Sequence, residues 1–491
     1  MFERTPRISL PRRQLEQSAS RLEDRHHVNL AKSKCCIAMQ PARTTEGETT
    51  VSHHAQLSSR ELALSAASRL GKTPSALAVL SLLLMAGPAL ATTYYVQPNG
   101  SDSASGTSPK SAWRSISFAM SNSSPVRAGD EVQVAAGIYP ENVDIKKSGA
   151  EGLPITLKGI GDVVVMDPTP DAGPGEGVID IIGAKHVVVD NIAVENAYFF
   201  GYQVRGSENV VLQRVRTHNT GASGIIVATN KRTSTVSSNI KILNSEVSDS
   251  CMVFSGIGQG GHEAISIASA NGFEVAYNSV HGGLKEGITA KGSARNGVIH
   301  HNTVFDQARV GIYVGALGGT VMNVEVHNNL VYRNAHGIAA VNEGNGHTEN
   351  VSIFNNVVYS NLGRGIGVAP WGVGPDHDVN DIKIINNTVA KNGTIGILVD
   401  NPEASNVLIR NNVSYMNAIR AQIRVTKGQA VVERNVVTDP HFRNALANDF
   451  SLKSDSPAID AGFDALAPAA DFVGQKRPMG LGPDAGAYEI R

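Results

Sequence analysis

The chain has 491 residues, of which 41% are hydrophobic, 18% charged and only 5% aromatic, with 49 glycines. That balance excludes a disordered chain and a membrane bundle, and it calls for tight turns around a core of small aliphatics. Residues 1–91 hold 12 Lys+Arg against 7 Asp+Glu, which leaves 31 against 37 in the remainder. An acidic body excludes a strongly basic nucleic-acid binder, and an anionic substrate must meet a local basic patch or a metal ion.

Residues 1–68 are polar, carry clustered charges such as Arg12-Arg13 and show no hydrophobic periodicity. They read as a disordered extension, or as sequence ahead of the true start. Residues 69–91 read as a signal peptide. Arg69 and Lys72 precede an apolar run from Ala76 to Met85, which closes on the small-x-small end Ala89-Leu90-Ala91. The run is shorter than the roughly 18–20 apolar residues that span a bilayer. The expected location is secreted, periplasmic or at the cell surface, with no membrane insertion once the signal is removed. Cys35 and Cys36 precede the cleavage point, so Cys251 is the one cysteine of the mature chain. It reads as a small buried residue, and without an internal disulfide the chain must rely on a large continuous core.

Residues 108–121 place Trp113, Ile116 and Met120 on one helical face, a candidate N-terminal plug. Residues 130–145 and 154–167 look like two initial coils. Beyond them the chain repeats. One segment type reads apolar-x-x-Asn-x-Val, with Asn191, Asn244, Asn278, Asn302, Asn329, Asn356, Asn387, Asn412 and Asn435 in register and Arg214 in the same place. The other is Gly-Ile-x-Val-like and starts at Gly201, Gly224, Ala264, Gly287, Gly311, Gly337, Gly365 and Gly396. The spacing is 23 residues at its shortest, with longer steps of 24–40, too short for a βαβ crossover or a propeller blade. It suits one coil of an all-β solenoid, the parallel β-helix, with two or three short strands per coil and a rise of about 4.8 Å. Alternation turns Ile and Val inward, and a dozen coils make a rod of roughly 55–60 Å. The Asn column is expected to be structural, because Asn tolerates the left-handed conformation and can bond to its neighbours in stacked coils. The domain division is a β-helix with its N-terminal cap over 92–437 and an irregular C-terminal cap over 438–491 that closes the far end. A monomer is expected.

The opening TYYVQPNGSDSASGTSPKSAWRSISFA and GDEVQVAAGIYPENVDIKKSG resemble the N-terminal region of secreted right-handed β-helix proteins, a group that includes the family-nine pectate lyases. The Asn and Gly-Ile coils resemble the generic parallel β-helix repeat. The closing DFSLKSDSPAIDAG and PDAGAYEI are similar to the segment that follows such repeats in bacterial surface and secreted proteins. The resemblance covers about residues 92–491 and implies a right-handed parallel β-helix. That fold hosts lyases, hydrolases, epimerases and adhesins, so activity must be argued from a site.

Alignment of the Gly-Ile strands places Glu263 and Glu286 in one column on consecutive coils. Arg309 falls one residue ahead of that column on the next coil, followed by His336 and Arg364. Lys291 ends the strand that Glu286 begins, and Tyr313 lies outward one coil on. These residues share one face within about 20 Å. Loops at 229–238, 250–262 and 368–381 flank this face as walls of a cleft, and Trp371 in the last could stack on a sugar ring. The stretch from Glu286 to Lys291 resembles the acidic-x-x-x-x-Lys segment of the family-six alginate and chondroitin lyases. That resemblance implies Glu263 and Glu286 as calcium ligands and Lys291 as the proton acceptor. β-Elimination suits these residue types. The proton α to a uronate carboxylate becomes acidic once the carboxylate is neutralised, a role for calcium or Arg309. Tyr313 is the candidate acid for the leaving oxygen, and His336, Arg364 and Trp371 are candidate substrate contacts. The leading reading is a polysaccharide lyase acting on an acidic polysaccharide. A glycoside hydrolase, a uronan epimerase and a non-catalytic glycan-binding surface protein remain open.

Overall fold

The computed structural model describes residues 91–168, 176–256, 262–370 and 377–490. The segment 1–68, the signal sequence up to Leu90, and with them Cys35 and Cys36, lie outside the described residues, as does Trp371. No helix among the described residues is long and apolar enough to cross a membrane.

Each coil is built from three short strands. In one coil these are Ala270–Ala276, Ser279–His281 and Ile288–Lys291. The third strands stack into an 11-stranded parallel sheet, and the first two form a 23-stranded sheet that wraps the other sides. The middle strand is only three residues long because left-handed residues bracket it. Tyr277 and Gly282 flank Ser279–His281, Asn328 and Arg333 flank Leu330–Tyr332, and Asn355 and Ser360 flank Val357–Tyr359. A positive φ ends a strand and turns the chain, so regular left-handed residues make regular corners. Between the corners, Ile265, Ile288, Ile312, Ile338, Ile366 and Ile397 pair in register from coil to coil, and all are fully buried. This is the alternation expected of a stacked solenoid.

The expected Asn column is in fact two adjacent columns with separate tasks. Asn191, Arg214 and Asn244 hold the left-handed corner, which later coils give to Tyr277, His301, Asn328, Asn355, Asn386, Asn411 and Arg434. The residue after each corner turns inward. From Asn278 onward it is Asn, forming a ladder through Asn302, Asn329, Asn356, Asn387, Asn412 and Asn435. In it each backbone N–H and side-chain amide donates to the Oδ1 one coil on, at 2.9–3.0 Å. Asn191 and Asn244 are therefore corner residues and not rungs. A second ladder runs through Gln307, Asn334, Asn361, Asn392 and Asn417 at the next corner. Buried amides in this geometry satisfy backbone groups that a tight corner leaves without partners.

The helix Ile116–Met120 plugs the first coil, with Trp113, Ile116 and Met120 fully buried. Trp113 stacks on Tyr94 at 4.9 Å, and its indole N–H donates to the Ala104 carbonyl at 3.0 Å. The C-terminal segment behaves differently from the closure expected of it. It lies along the flank of the solenoid. Phe442, Phe450 and Leu452 pack on Val357, Tyr359, Ala390 and Val413 of successive coils. Corner residues hold it there. The Asn328 amide donates to the Asp471 and Phe472 carbonyls, Asn355 to Ala470, Asn386 to Asp484 and Asn411 to Phe463. Among the described residues nothing closes the far end, where the inward residues Val425 and Val432 of the last coil are 38% and 45% exposed.

Candidate active site

The 11-stranded sheet presents the face on which the candidate residues lie. The Glu286 carbonyl accepts from Ala264 N, Gly287 N donates to the Val310 carbonyl, and Val310 pairs with His336. Glu263 and Glu286 therefore stand one coil apart at one register position, with Val310 and His336 following. Arg364 continues the column, its carbonyl accepting from Gly337 N. Outward on the strands themselves, Ser266, Thr289 and Tyr313 pair in a second column, and all three are buried.

Glu263 is 5% exposed and fully engaged. Its carboxylate pairs with the Lys291 ammonium at 2.5 Å and accepts from the Ser266 hydroxyl at 2.7 Å and the Thr289 hydroxyl at 3.1 Å. Burial pushes this carboxyl up, but the Lys291 charge and these hydrogen bonds outweigh it and hold the pKa below the ordinary glutamate value. Glu286 is shifted the other way. Burial and the neighbouring Glu263 charge raise it, and Arg309, 3.6 Å away, offsets only part of that. Arg309 also donates to the Ser255 carbonyl at 3.5 Å, and its side chain is the most exposed of this group. The Tyr313 hydroxyl donates to the Glu343 carboxylate. Burial and the Glu343 charge keep the phenol well above its ordinary pKa.

His336 and Arg364 form a separate group further along the face. Arg364 N donates to His336 Nδ1 at 3.2 Å, and the Arg364 guanidinium reaches Asp400 at 3.2 Å. Burial, then the Arg364 charge, lowers His336 to about 4. The third expected substrate contact, Trp371, falls outside the described residues. In the following segment His347 bridges Glu349 and Asp378, at 2.7 Å on each side.

Three residues of this cluster were not among the candidates. Lys285 is 3% exposed, and burial and then Arg309 lower its pKa. His262 is lowered to about 4, chiefly by burial. Cys251 is fully buried, its thiol donates to the His262 carbonyl at 3.3 Å, and burial raises its pKa, which makes the thiol inert. A signal for two of them was present. His262, Lys285 and Arg309 each stand one residue ahead of the site column on three successive coils.

The residues do not fit the calcium ion that the resemblance implied. Glu263 already accepts three donors, and Glu286 faces a guanidinium. Among the described residues, no group of three or more His, Cys, Asp and Glu is arranged to hold a metal ion.

The same face carries another buried carboxylate, Asp180, which accepts from Gln203 Nε2 at 2.7 Å and from Gly177 N at 2.9 Å. Burial raises its pKa to about 6. A raised carboxyl means that the folded state binds the proton more tightly than the unfolded chain. Asp180 is therefore neutral in stability below the unfolded value and increasingly destabilising as pH climbs toward 6. Asp180→Asn is expected to match the wild type near pH 4 and to exceed it by about 1–3 kcal/mol at pH 7. Urea unfolding at the two pH values checks this, and an equal difference at both would contradict it.

The family described as "Right handed beta helix region" matches residues 236–374. The uncharacterized protein YwoF of Bacillus subtilis (strain 168) is 42% identical over 64 residues, which span 13% of this chain and 13% of that protein. Among solved structures, pectate lyase Pel9A aligns with a TM-score of 0.52 and 19% identity, over 82% of this chain and 98% of its own. XylC in complex with xylose aligns with a TM-score of 0.54 and 13% identity, over 81% and 99%. At these identities the likeness is one of fold: the chain is a right-handed parallel β-helix resembling the fold of a polysaccharide lyase.

Proposed function

We propose that this chain is a secreted carbohydrate-active enzyme, a polysaccharide lyase that cleaves a uronic-acid-containing polysaccharide by β-elimination. The observation that carries this reading is the gathering of Glu263, Glu286, Lys291, Arg309 and Tyr313 on adjacent coils of one face. A stacked solenoid needs no buried charges there, and buried, shifted carboxyls such as Glu263 and Glu286 concentrate at functional sites. The pectate lyase likeness in fold supports it by analogy alone.

The proposed roles are these. Arg309 is the cation open to solvent and receives the substrate carboxylate, which stabilises the charge that develops when the α-proton leaves. Lys291 was the expected proton acceptor, but an ammonium bonded to Glu263 has no lone pair to offer. The base is therefore assigned to Glu286, whose raised pKa makes its carboxylate more basic. Tyr313 was the candidate acid, but its buried hydroxyl already donates to Glu343, so the proton for the leaving glycosidic oxygen is assigned to water.

The test is incubation of the purified protein with pectate, alginate and glycosaminoglycans, reading the ultraviolet absorbance of the unsaturated product. Glu286→Gln is expected to lower the rate by about 10²–10⁴-fold. No unsaturated product from any uronan would sink the lyase reading.

One observation favours a second reading. Glu263 and Glu286 lie one coil apart, roughly 4.8 Å, and are shifted in opposite directions, as in a retaining glycosidase pair. Reducing ends released without unsaturated product would select this hydrolase reading.

A further inference from the structure

Two carboxylates stacked on consecutive coils repel each other unless a positive charge sits with them. A divalent cation is one solution. This chain carries another. The Lys291 ammonium sits on Glu263 at 2.5 Å, Arg309 sits beside Glu286 at 3.6 Å, and Lys285 is buried within the same electrostatic neighbourhood. Ser266 and Thr289 complete the shell of Glu263 from the strands beneath. Two cationic side chains thus pair with the two carboxylates, and Lys285 adds a third positive charge nearby. A metal ion entering this cluster would have to displace an ammonium already bonded in a buried pair. It would also meet the uncompensated repulsion of the remaining cations.

We propose that Lys291, fixed on Glu263, takes the place of a divalent cation at this site, so that Arg309 neutralises the carboxylate of an anionic sugar without added metal. The inference rests on reading this face as the catalytic one. It goes further in stating where the positive charge comes from.

The proposal has a corollary that a purely structural ion pair does not share. Removing the ammonium while keeping both carboxylates uncovers two oxygen donors on adjacent coils, and calcium prefers such hard ligands. Lys291→Met is therefore expected to gain a response to calcium that the wild type lacks.

The experiment follows thermal unfolding of the wild type, Glu286→Gln, Lys291→Met and the double variant Glu263→Gln with Lys291→Met, each in calcium chloride and in EDTA. Terbium luminescence reports ion binding directly on the same four proteins. The wild type is expected to melt at the same temperature in both conditions and to give no terbium signal that Glu286→Gln abolishes. Lys291→Met is expected to melt about 2–4 °C higher with calcium at a hundredfold its dissociation constant, and the double variant to lose that gain. Calcium stabilisation of the wild type that disappears in Glu286→Gln would overturn the proposal. So would a folded Lys291→Met that ignores calcium. If Lys291→Met does not fold, Lys291→Gln takes its place, and the wild-type arm decides regardless. Failure to cleave any uronan would sink the lyase reading while leaving these melting and luminescence results to stand or fall by themselves.

Discussion

Arg477→Met is expected to destabilise the protein by about 3–5 kcal/mol, the cost of leaving one member of a buried ion pair without its partner. The Arg477 and Glu489 side chains are 1% and 0% exposed. Arg477 donates to Glu489 at 2.8 Å, to the Asn355 side chain at 2.8 Å and to the Gly486 carbonyl at 3.1 Å. Glu489 in turn accepts from the backbone of Met479 at 2.9 Å and of Asp484 at 3.0 Å. The pair therefore knots the last residues of the chain to one another and to a corner of the solenoid. Its loss should free the C-terminal segment before the coils open. Limited proteolysis ought to clip residues beyond about 440 early in the variant, and urea unfolding should show a lower midpoint. The paired change Arg477→Met with Glu489→Leu should cost less than Arg477→Met alone, because no uncompensated charge is left in the interior. A single variant within about 0.5 kcal/mol of the wild type would show that the flank segment does not depend on this knot.

Asn356→Ala is expected to cost about 3–5 kcal/mol, because one deletion leaves several buried groups without partners. Its amide donates to the Val326 and Phe354 carbonyls and to the Asn387 Oδ1, at 2.8–3.0 Å. Its own Oδ1 accepts from the backbone and side chain of Asn329, at 3.0 and 2.9 Å. Water cannot replace those bonds inside a corner where Asn356 is fully buried. Denaturant unfolding measures the loss, and amide exchange should locate it at Asn329 and Asn356. A loss below about 1 kcal/mol would mean that the corner closes over the gap and the ladder is dispensable.

The stacked architecture was legible because repetition fixes register. Once Ile288, Ile312 and Ile338 are aligned, the column of Glu263 and Glu286 follows without further information. The Asn assignments were only partly legible for a physical reason. Asn suits both the left-handed corner and the inward rung, and pairs such as Asn355-Asn356 occupy both at once. A lone Asn191 or Asn244 carries no mark of which place it takes, and only the coil geometry separates them. The pairings at the site were not legible. Whether Lys291 reaches Glu263, and Tyr313 reaches Glu343, depends on side-chain reach across coils, which no periodicity encodes. Lys285 lies ahead of the strand Ile288–Lys291, outside its alternation, and only its shared register with His262 and Arg309 marks it. The C-terminal segment has no repeat of its own. Its anchors, Asn328, Asn355, Asn386 and Asn411, read in the sequence as features of the coils they belong to.

The unclosed last coil has a consequence for how such a chain can change length. At the plugged end, Trp113 and Ile116 fit one particular first turn, so an added turn there would lose its seat. At the other end, Val425 and Val432 present the same inward chemistry as every rung before them. The flank segment is held from the side, by Asn328 through Asn411, with Arg434 of the last coil over the Phe463 ring. Tandem duplication of the closing unit would therefore meet a matching surface, and the molecule can be extended from one end only.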